Sequence, residues 1–497
     1  MEEPMPSPSD EFTLTSPLPA LLPGAERLLA LTILWHPDQA RIGEQHLAVP
    51  GTELAVSRYA PAFCHPAGAA LPLGERSLAR APLVLRRSGA GVTLLPPASR
   101  MLLRVDGELL AAPLALGAAR LEAGLVLELG GSVLLCAHWA DGLPQREDPG
   151  ELTGVSSAMR KVRALVRQVA PSDLPVLLLG ETGTGKELAA RAVHQGSRRR
   201  GGPLVAVNMA TLGDELAAAD LFGAARGAYT GAERARSGYF AEAAGGTLFL
   251  DEIGNAPAAV QPMLLRVLES GDYRPLGSAH ALQSQARLVA ATDQDLGSGS
   301  FNQPLLRRLE GFVIALPPLR RRREDIGLLI LHAVRGWNAA SGAGLTLPIA
   351  LVADMCRHDW PGNVRQLRNA VLRALLGLQA GALPTLGEII PEAALAPASP
   401  PAPRRHLDAL DDAAVLAALD ACGWQIRAAA QALGVSRPSM YKLLAAHPQV
   451  RQAAAIPLDE LRMAWTAHGG DVVRCALALR TPSEALRRQL RGYGLID

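Results

Sequence analysis

A short apolar run that breaks into glycines and a lysine constrains this 497-residue chain more than any other feature. The run is Val176–Leu179. It leads into Gly180-Glu181-Thr182-Gly183-Thr184-Gly185-Lys186-Glu187, where a helical pattern begins. Glycines at such a turn let backbone N–H groups approach phosphate oxygens. The helix start adds partial positive charge, and the lysine reaches the terminal phosphates. Lysine is scarce here: of 49 basic residues only Lys161, Lys186 and Lys442 are lysines, which marks Lys186 as a candidate for chemistry. Three more apolar runs, 204–207, 247–250 and 287–291, each precede a helical pattern, the alternation expected of a parallel α/β sheet. The run at 247–250 ends in Asp251-Glu252. At a strand end Asp251 can hold Mg²⁺ and Glu252 can polarise an attacking water. The two strand ends together predict an α/β domain that binds ATP and hydrolyses it.

Composition bounds the rest. At ~100–200 residues per domain the chain holds about three domains. Forty-nine basic residues against 47 acidic give a net charge of +2. That excludes binding to nucleic acid by bulk charge alone and leaves room for a local basic face. No apolar run reaches the ~18–20 residues of a membrane helix, and Met1-Glu2-Glu3-Pro4 lacks the layout of a signal peptide. Cys64, Cys136, Cys356, Cys422 and Cys475 are scattered without metal-ligand spacing, a usage that fits a reducing cytoplasm.

Residues 1–23, rich in Pro and Ser, read as a disordered tail. Over 24–141, short apolar runs (Leu28–Trp35, 83–85, 92–95, 101–105, Leu125–Leu129 and 132–137) alternate with turn residues and predict a β-sandwich. The first 150 residues carry 11 basic and 16 acidic groups, net −5. The α/β domain spans 152–395, with a helical lid from about 324, and a Pro-rich linker occupies 396–406. The remainder is helical and repeats at a fixed offset: Gly423, Ala430, Ala432, Leu433 and Leu444 recur as Gly469, Ala476, Ala478, Leu479 and Leu490. Residues 407–450 read as a helix-turn-helix, with a first helix over 424–433 and a turn at Gly434. Ser436 caps the second helix and Pro438 sits in its first turn. Arg437, Ser439, Tyr441 and Lys442 would then face bases and phosphates. In the second copy, 451–497, Arg480 stands where the turn glycine would be, and Arg487, Arg488 and Arg491 form a basic face. It reads as a second DNA reader or a dimerisation element. Residues 404–497 carry 12 basic and 9 acidic groups, net +3.

On these residues, 152–395 resembles the AAA+ ATPase domain of bacterial enhancer-binding proteins, the activators of sigma-54 RNA polymerase. The family signature GAFTGA, on a loop that contacts sigma-54, is matched by Gly227-Ala228-Tyr229-Thr230-Gly231-Ala232, preceded by Asp220-Leu221-Phe222-Gly223. The turn Gly180–Glu187 matches the family's phosphate-binding loop, including the Glu after Lys. The resemblance implies that Asn208 restrains the catalytic glutamate and that Asp293 sits where the γ-phosphate is sensed. It implies further that Arg365, in Trp360-Pro361-Gly362-Asn363-Val364-Arg365, is the lid arginine touching nucleotide. Arg308 would be an arginine finger acting on the neighbouring subunit's ATP. Pro317-Pro318-Leu319-Arg320 through Glu324-Asp325-Ile326 matches a further family segment.

Three positions depart from the pattern. Asp293 replaces an Asn, Asn302 replaces a first trans-acting arginine, and Ala224-Ala225-Arg226 lacks the acidic residue often found before the signature. They imply a slow ATPase. Residues 424–447 resemble a Fis-type DNA-binding domain. The N-terminal segment resembles a forkhead-associated domain, which binds phosphothreonine; Arg80, within Gly74–Pro82, is the candidate phosphate ligand. A sandwich used as a tether or for contacts within the oligomer is the alternative there. The whole reads as a ring-forming ATPase, dimer to hexamer, that binds upstream DNA and remodels sigma-54 polymerase. The rival reading is a DNA-binding regulator that uses ATP binding only as an assembly switch.

Overall fold

The apolar alternation of the N-terminal segment becomes two antiparallel sheets. In one, Leu28–Trp35 pairs along its length with Val133–Ala140. Gln45–Leu47 lies outside the former, and Leu125–Leu129, Leu103–Val105 and Glu108–Leu109 follow the latter. The other runs Leu54–Val56, Leu83–Ser88, Gly91–Leu95, Leu114–Leu116. Leu29, Leu31 and Ile33 from the first sheet and Leu83, Leu85, Val92 and Leu94 from the second meet in one buried cluster. Alternate residues of a strand face one side, so a shared cluster built this way makes a sandwich. The computed structural model describes residues 27–390 apart from 50, 65–69, 89–90, 142–149, 214–215, 229–233 and 298–300. It also describes 412–495 apart from 434, 436–439, 441–442, 445–446, 448 and 494. The tail expected over 1–23 and the linker expected over 396–406 lie outside the described residues.

Residues 152–316 hold a five-stranded parallel sheet in the order Leu204–Asn208, Thr247–Asp251, Arg287–Thr292, Val176–Leu179, Val313–Ala315. Both faces are covered. Leu177, Val207, Leu248 and Leu288 point into one apolar cluster, Val176, Leu178, Phe249 and Val289 into another. Burial on both faces is why these strands read as unbroken apolar runs. The helices Ile326–Ser341, Ile349–Arg357 and Asn363–Gln379 follow as the lid.

The sandwich packs against the start of the lid within one compact unit. Leu28–Trp35 is buried along nearly its whole length because its second face meets the helix Ile326–Ser341. Gly327 lies against the Leu34 carbonyl with no room for a Cβ. Arg323 donates to the Gly124 carbonyl (3.3 Å) and to Asp359 (2.6 Å). A polar chain crosses the same seam: Arg160 donates to Gln45 (3.4 Å), Gln45 to the Thr32 hydroxyl (2.9 Å), and that hydroxyl meets Nε2 of His138 (2.8 Å). Burial depresses the His138 pKa to about 4, so the ring is neutral at neutral pH. Its neighbour Glu324, 3.8 Å away, is pushed up by burial and by Asp325. Burial pushes the Asp325 carboxyl up too, against the opposing Arg322 charge and three donors that converge on it, the Val155 and Ser156 amides and the Ser156 hydroxyl. With the His138 ring neutral, its contact with Glu324 is not an ion pair.

Residues 393–497 form a second unit. Helices Asp412–Ala421, Ile426–Leu433, Leu458–Ala467, Val472–Leu479 and Ser483–Gly492 share one apolar cluster. The helix expected over 424–433 begins later. Trp424 sits in the turn before it at φ +58°, fully buried, its indole N–H donating to Asp420 (2.8 Å). The large ring seals the core from a turn position, which helical periodicity does not reveal.

Candidate functional site: a nucleotide cleft between sheet and lid

The cleft is built at the carboxyl ends of the parallel strands, where such sheets open towards ligands. The chain leaves Val176–Leu179, turns through the glycines, and enters the helix Lys186–Gln195. Gly185 occupies the N-cap at φ +107° with no side chain on the first N–H groups, which leaves those donors to an anion. Gly183, at φ +81°, has no space for a Cβ against the Gly362 carbonyl. The Lys186 ammonium donates to the Gly180 carbonyl (2.7 Å) and more weakly to that of Glu181 (3.3 Å). Burial lowers its pKa, and the charges of Asp293, Asp251 and Glu252 oppose that shift, so all three carboxylates lie within electrostatic reach.

Asp251 ends its strand and accepts from the Glu252 amide (3.0 Å). Glu252 is held at φ +53°, a left-handed conformation that a non-glycine residue adopts at a cost of about 1–3 kcal/mol. Its carboxylate accepts from the Asn255 side chain (3.3 Å), whose oxygen accepts from Gln294 (2.9 Å). The expected base is thus wired to the strand end that carries Asp293. Asn208 faces Asp251 across the sheet register. Its side-chain oxygen caps the following turn by accepting from the Ala210 amide (2.9 Å). The expected restraint of Glu252 by Asn208 is not made in this structure; Asn255 holds that carboxylate instead. Asp293 accepts from the Thr182 hydroxyl (2.7 Å), so its extra charge is fixed onto the phosphate-binding turn.

Sequence reasoning missed a clasp between turn and lid. Arg320 grips the Glu181 carboxylate with both terminal nitrogens, one at 2.8 Å. That guanidinium holds the carboxylate below its usual range. Asn363, buried at φ +53°, donates to Glu181 (3.1 Å) and to the Thr182 carbonyl (3.1 Å), and accepts from the Leu319 amide (2.8 Å). Arg322 donates to the Thr184 carbonyl (3.1 Å). Thr184 is buried and its hydroxyl donates to the Glu181 carbonyl (2.8 Å). Glu181 was expected to bind nucleotide; its side chain binds the lid. The signal was present as charge pairing between two motifs 139 residues apart, a separation at which sequence gives no geometry. Glu187 is exposed and pairs with Arg191 (3.3 Å). Arg365 is exposed beside Gly183, and its charge bears on Lys186.

Arg308 and Arg307 are exposed on the helix Gln303–Leu309, Arg308 lying 3.5 Å from Glu269. Asn302, the departure from the arginine pattern, is the N-cap of that helix and accepts from the Leu305 amide (2.9 Å). The loop of the signature has a defined base. Ala224 bridges Arg236 on one side and Leu276 on the other, and Arg236 pairs with Asp220 (2.8 Å). Gly227 and Ala228 lie just above this base; Tyr229, Thr230, Gly231 and Ala232 lie outside the described residues. So do Arg437, Ser439, Tyr441 and Lys442. Arg80 is exposed in the loop before Leu83–Ser88. No group of three His, Cys, Asp or Glu able to hold a metal occurs among the described residues. A single carboxylate, Asp251, fits Mg²⁺ held jointly with phosphates rather than an all-protein cage. No helix among the described residues is long and apolar enough to cross a membrane.

The sheet and the lid that border this cleft fall within two known family models. Residues 152–315 match the model of the sigma-54 interaction domain, and 320–398 that of the AAA+ ATPase lid domain. The nitric oxide reductase transcription regulator NorR1 of Cupriavidus necator is 46% identical over 234 residues, covering 46% of each chain. The transcriptional regulatory protein ZraR of Escherichia coli is 41% identical over 305 residues, 58% of this chain and 67% of that one. The DNA-binding transcriptional regulator NtrC of Azospirillum brasilense is 43% identical over 226 residues, 45% of this chain and 47% of that one. The chain thus spans about half the length of two of these relatives and two thirds of the third.

Proposed function

The chain belongs to the family of transcription regulators built on a sigma-54 interaction domain and an AAA+ lid, and we propose that it is an ATP-driven activator of sigma-54 RNA polymerase. The C-terminal unit binds DNA upstream of the promoter. The central domains assemble into a ring in which Arg308 of one subunit reaches the ATP of the next. Lys186 and the N–H groups around Gly183 and Gly185 hold the phosphates. Asp251 would hold Mg²⁺, which supplies charge neutralisation when bound. Glu252 orients and deprotonates the attacking water. Hydrolysis moves the Tyr229-Thr230 loop against sigma-54.

One observation carries this reading: the cleft and the base of the loop share a domain. The strand that presents Asp251 and Glu252 lies in the same apolar cluster as Leu221, Phe222 and Tyr273, which flank the bridge at Ala224. The test is steady-state ATP turnover. Glu252→Gln is expected to lower it by about 10²–10⁴-fold while ATP binding persists. Wild-type protein that binds ATP without turnover would instead support the rival, nucleotide as an assembly switch. That reading draws on the Asp293 charge and on the cap position of Asn302.

For the sandwich the proposal is regulatory, through its seam with the lid. Its activating partner would be a phosphothreonine protein engaged at Arg80. Arg80→Ala is expected to abolish binding of a phosphothreonine peptide; unchanged binding removes Arg80 from that role.

A further inference from the structure

The two halves of the C-terminal unit are copies in structure as well as in sequence. Asp412–Ala421 and Leu458–Ala467 have ten residues each, Ile426–Leu433 and Val472–Leu479 eight each, and each second member starts 46 positions after the first. The irregular backbone between them repeats at the same offset. The Trp424 amide donates to Leu419 as Gly470 does to Trp465, Gln425 to Cys422 as Asp471 to His468, and Val435 to Ala430 as Thr481 to Ala476. Gly423 and Gly469 share φ near +60°. Arg480 takes the left-handed turn at φ +49°, although it is not glycine. Burial repeats as well: Val415 with Leu461, Ala430 with Ala476, Leu433 with Leu479, Met440 with Leu486 and Leu444 with Leu490 are all buried. Hydrogen bonds in turns are set by local conformation, so this coincidence marks one helical module used twice.

The copies are also fused. All these buried residues belong to one apolar cluster. The Ser483 amide and hydroxyl both donate to the Trp424 carbonyl (3.0 and 3.1 Å), and the Arg451 amide donates to Arg480 (2.9 Å). At the 46-residue offset, positions 441 and 442, which the sequence assigns to DNA, correspond to Arg487 and Arg488. Both are exposed on the helix Ser483–Gly492, whose buried side is Leu486 and Leu490. A helix that buries one stripe against its module and turns adjacent arginines outward fits a polyanion, and duplex DNA is the one its sister module implies.

We propose that the helix Ser483–Gly492 is a second DNA-reading element, contacting the phosphate backbone of duplex DNA through Arg487 and Arg488. One chain then presents two helix-turn-helix modules on a shared core, an arrangement that otherwise needs two chains. The inference rests on the DNA-binding reading of the C-terminal unit.

The test is binding of the full chain to a mixed-sequence duplex of about 40 base pairs, titrated across salt concentration. Each lost phosphate contact lowers the log–log salt slope by about 0.9. Arg487→Gln with Arg488→Gln is expected to lower the slope by about 1.8 and weaken binding, and the paired Arg→Lys variant to restore both. Lys442→Gln serves as the first-copy comparison, with an expected loss of about 0.9. A slope lowered by Lys442→Gln and untouched by the arginine pair overturns this inference and leaves the DNA reading standing. No duplex binding by the unaltered chain overturns both.

Discussion

At the residue scale the cleft turns on Asp293. The Thr182 hydroxyl fixes its carboxylate, and the Lys186 ammonium lies within its electrostatic reach, beside the place where phosphates must come. One negative charge about 4 Å from an anionic ligand, screened as fully as in bulk water, opposes binding by about 1 kcal/mol. Asp293→Asn keeps the hydrogen bond to Thr182 and removes the charge. It is expected to tighten ATP binding about fivefold, read by equilibrium titration; unchanged or weaker binding would show that the pairing already neutralises the group. The place of the candidate side chains in the fold was legible from sequence. Lys186, Asp251, Glu252, Asp293 and Arg365 all gather at the strand ends and the lid that faces them. What was not legible is the partner each one takes. Asn208 and Asn302 both accept from a nearby backbone amide, a local use of short amide side chains that competes with any long-range role. Asn255, by contrast, reaches Glu252 only because a tight turn returns it there.

At the element scale the segment 319–328 is the decisive piece. One side of it holds the phosphate-binding turn through Arg320, Arg322 and Leu319; the other holds the sandwich through Arg323, Glu324 and Gly327. Sharing so short an element predicts coupling between the two sites, and such coupling acts in both directions. Gly327→Ala probes it. Alanine favours the helix, but its Cβ meets the Leu34 carbonyl, an overpacking that costs about 1–3 kcal/mol. The expected outcome is faster hydrogen exchange in Leu28–Trp35 together with ATP binding weakened by about fivefold or more. Faster exchange with unaltered ATP affinity would contradict the coupling. Strand positions were read well wherever four or more apolar residues stood together: Leu28–Trp35, Leu125–Leu129 and Val176–Leu179 have the expected bounds. The strands Gln45–Leu47, Leu54–Val56 and Val313–Ala315 went unread, because three residues carry too little alternation to register. The docking of sandwich on lid was equally invisible. It rests on Gly327 and on the buried His138–Glu324 contact, neither of which has a sequence signature.

At the scale of the whole molecule, three parts divide the work. The sandwich braces the lid, the central domain carries the cleft and the loop base, and the C-terminal unit presents paired modules. The proposed function assigns the exposed Arg308 to the neighbouring subunit's ATP, and so predicts turnover that depends on assembly. The central claim is therefore tested by ATP hydrolysis measured against protein concentration, with wild type compared to Glu252→Gln and Arg308→Ala. The account predicts activity per subunit that rises cooperatively with concentration and is abolished in each variant, with partial recovery when the two variants are mixed, because one supplies the finger and the other the base. Activity per subunit independent of concentration, with Arg308→Ala as active as wild type, would contradict it.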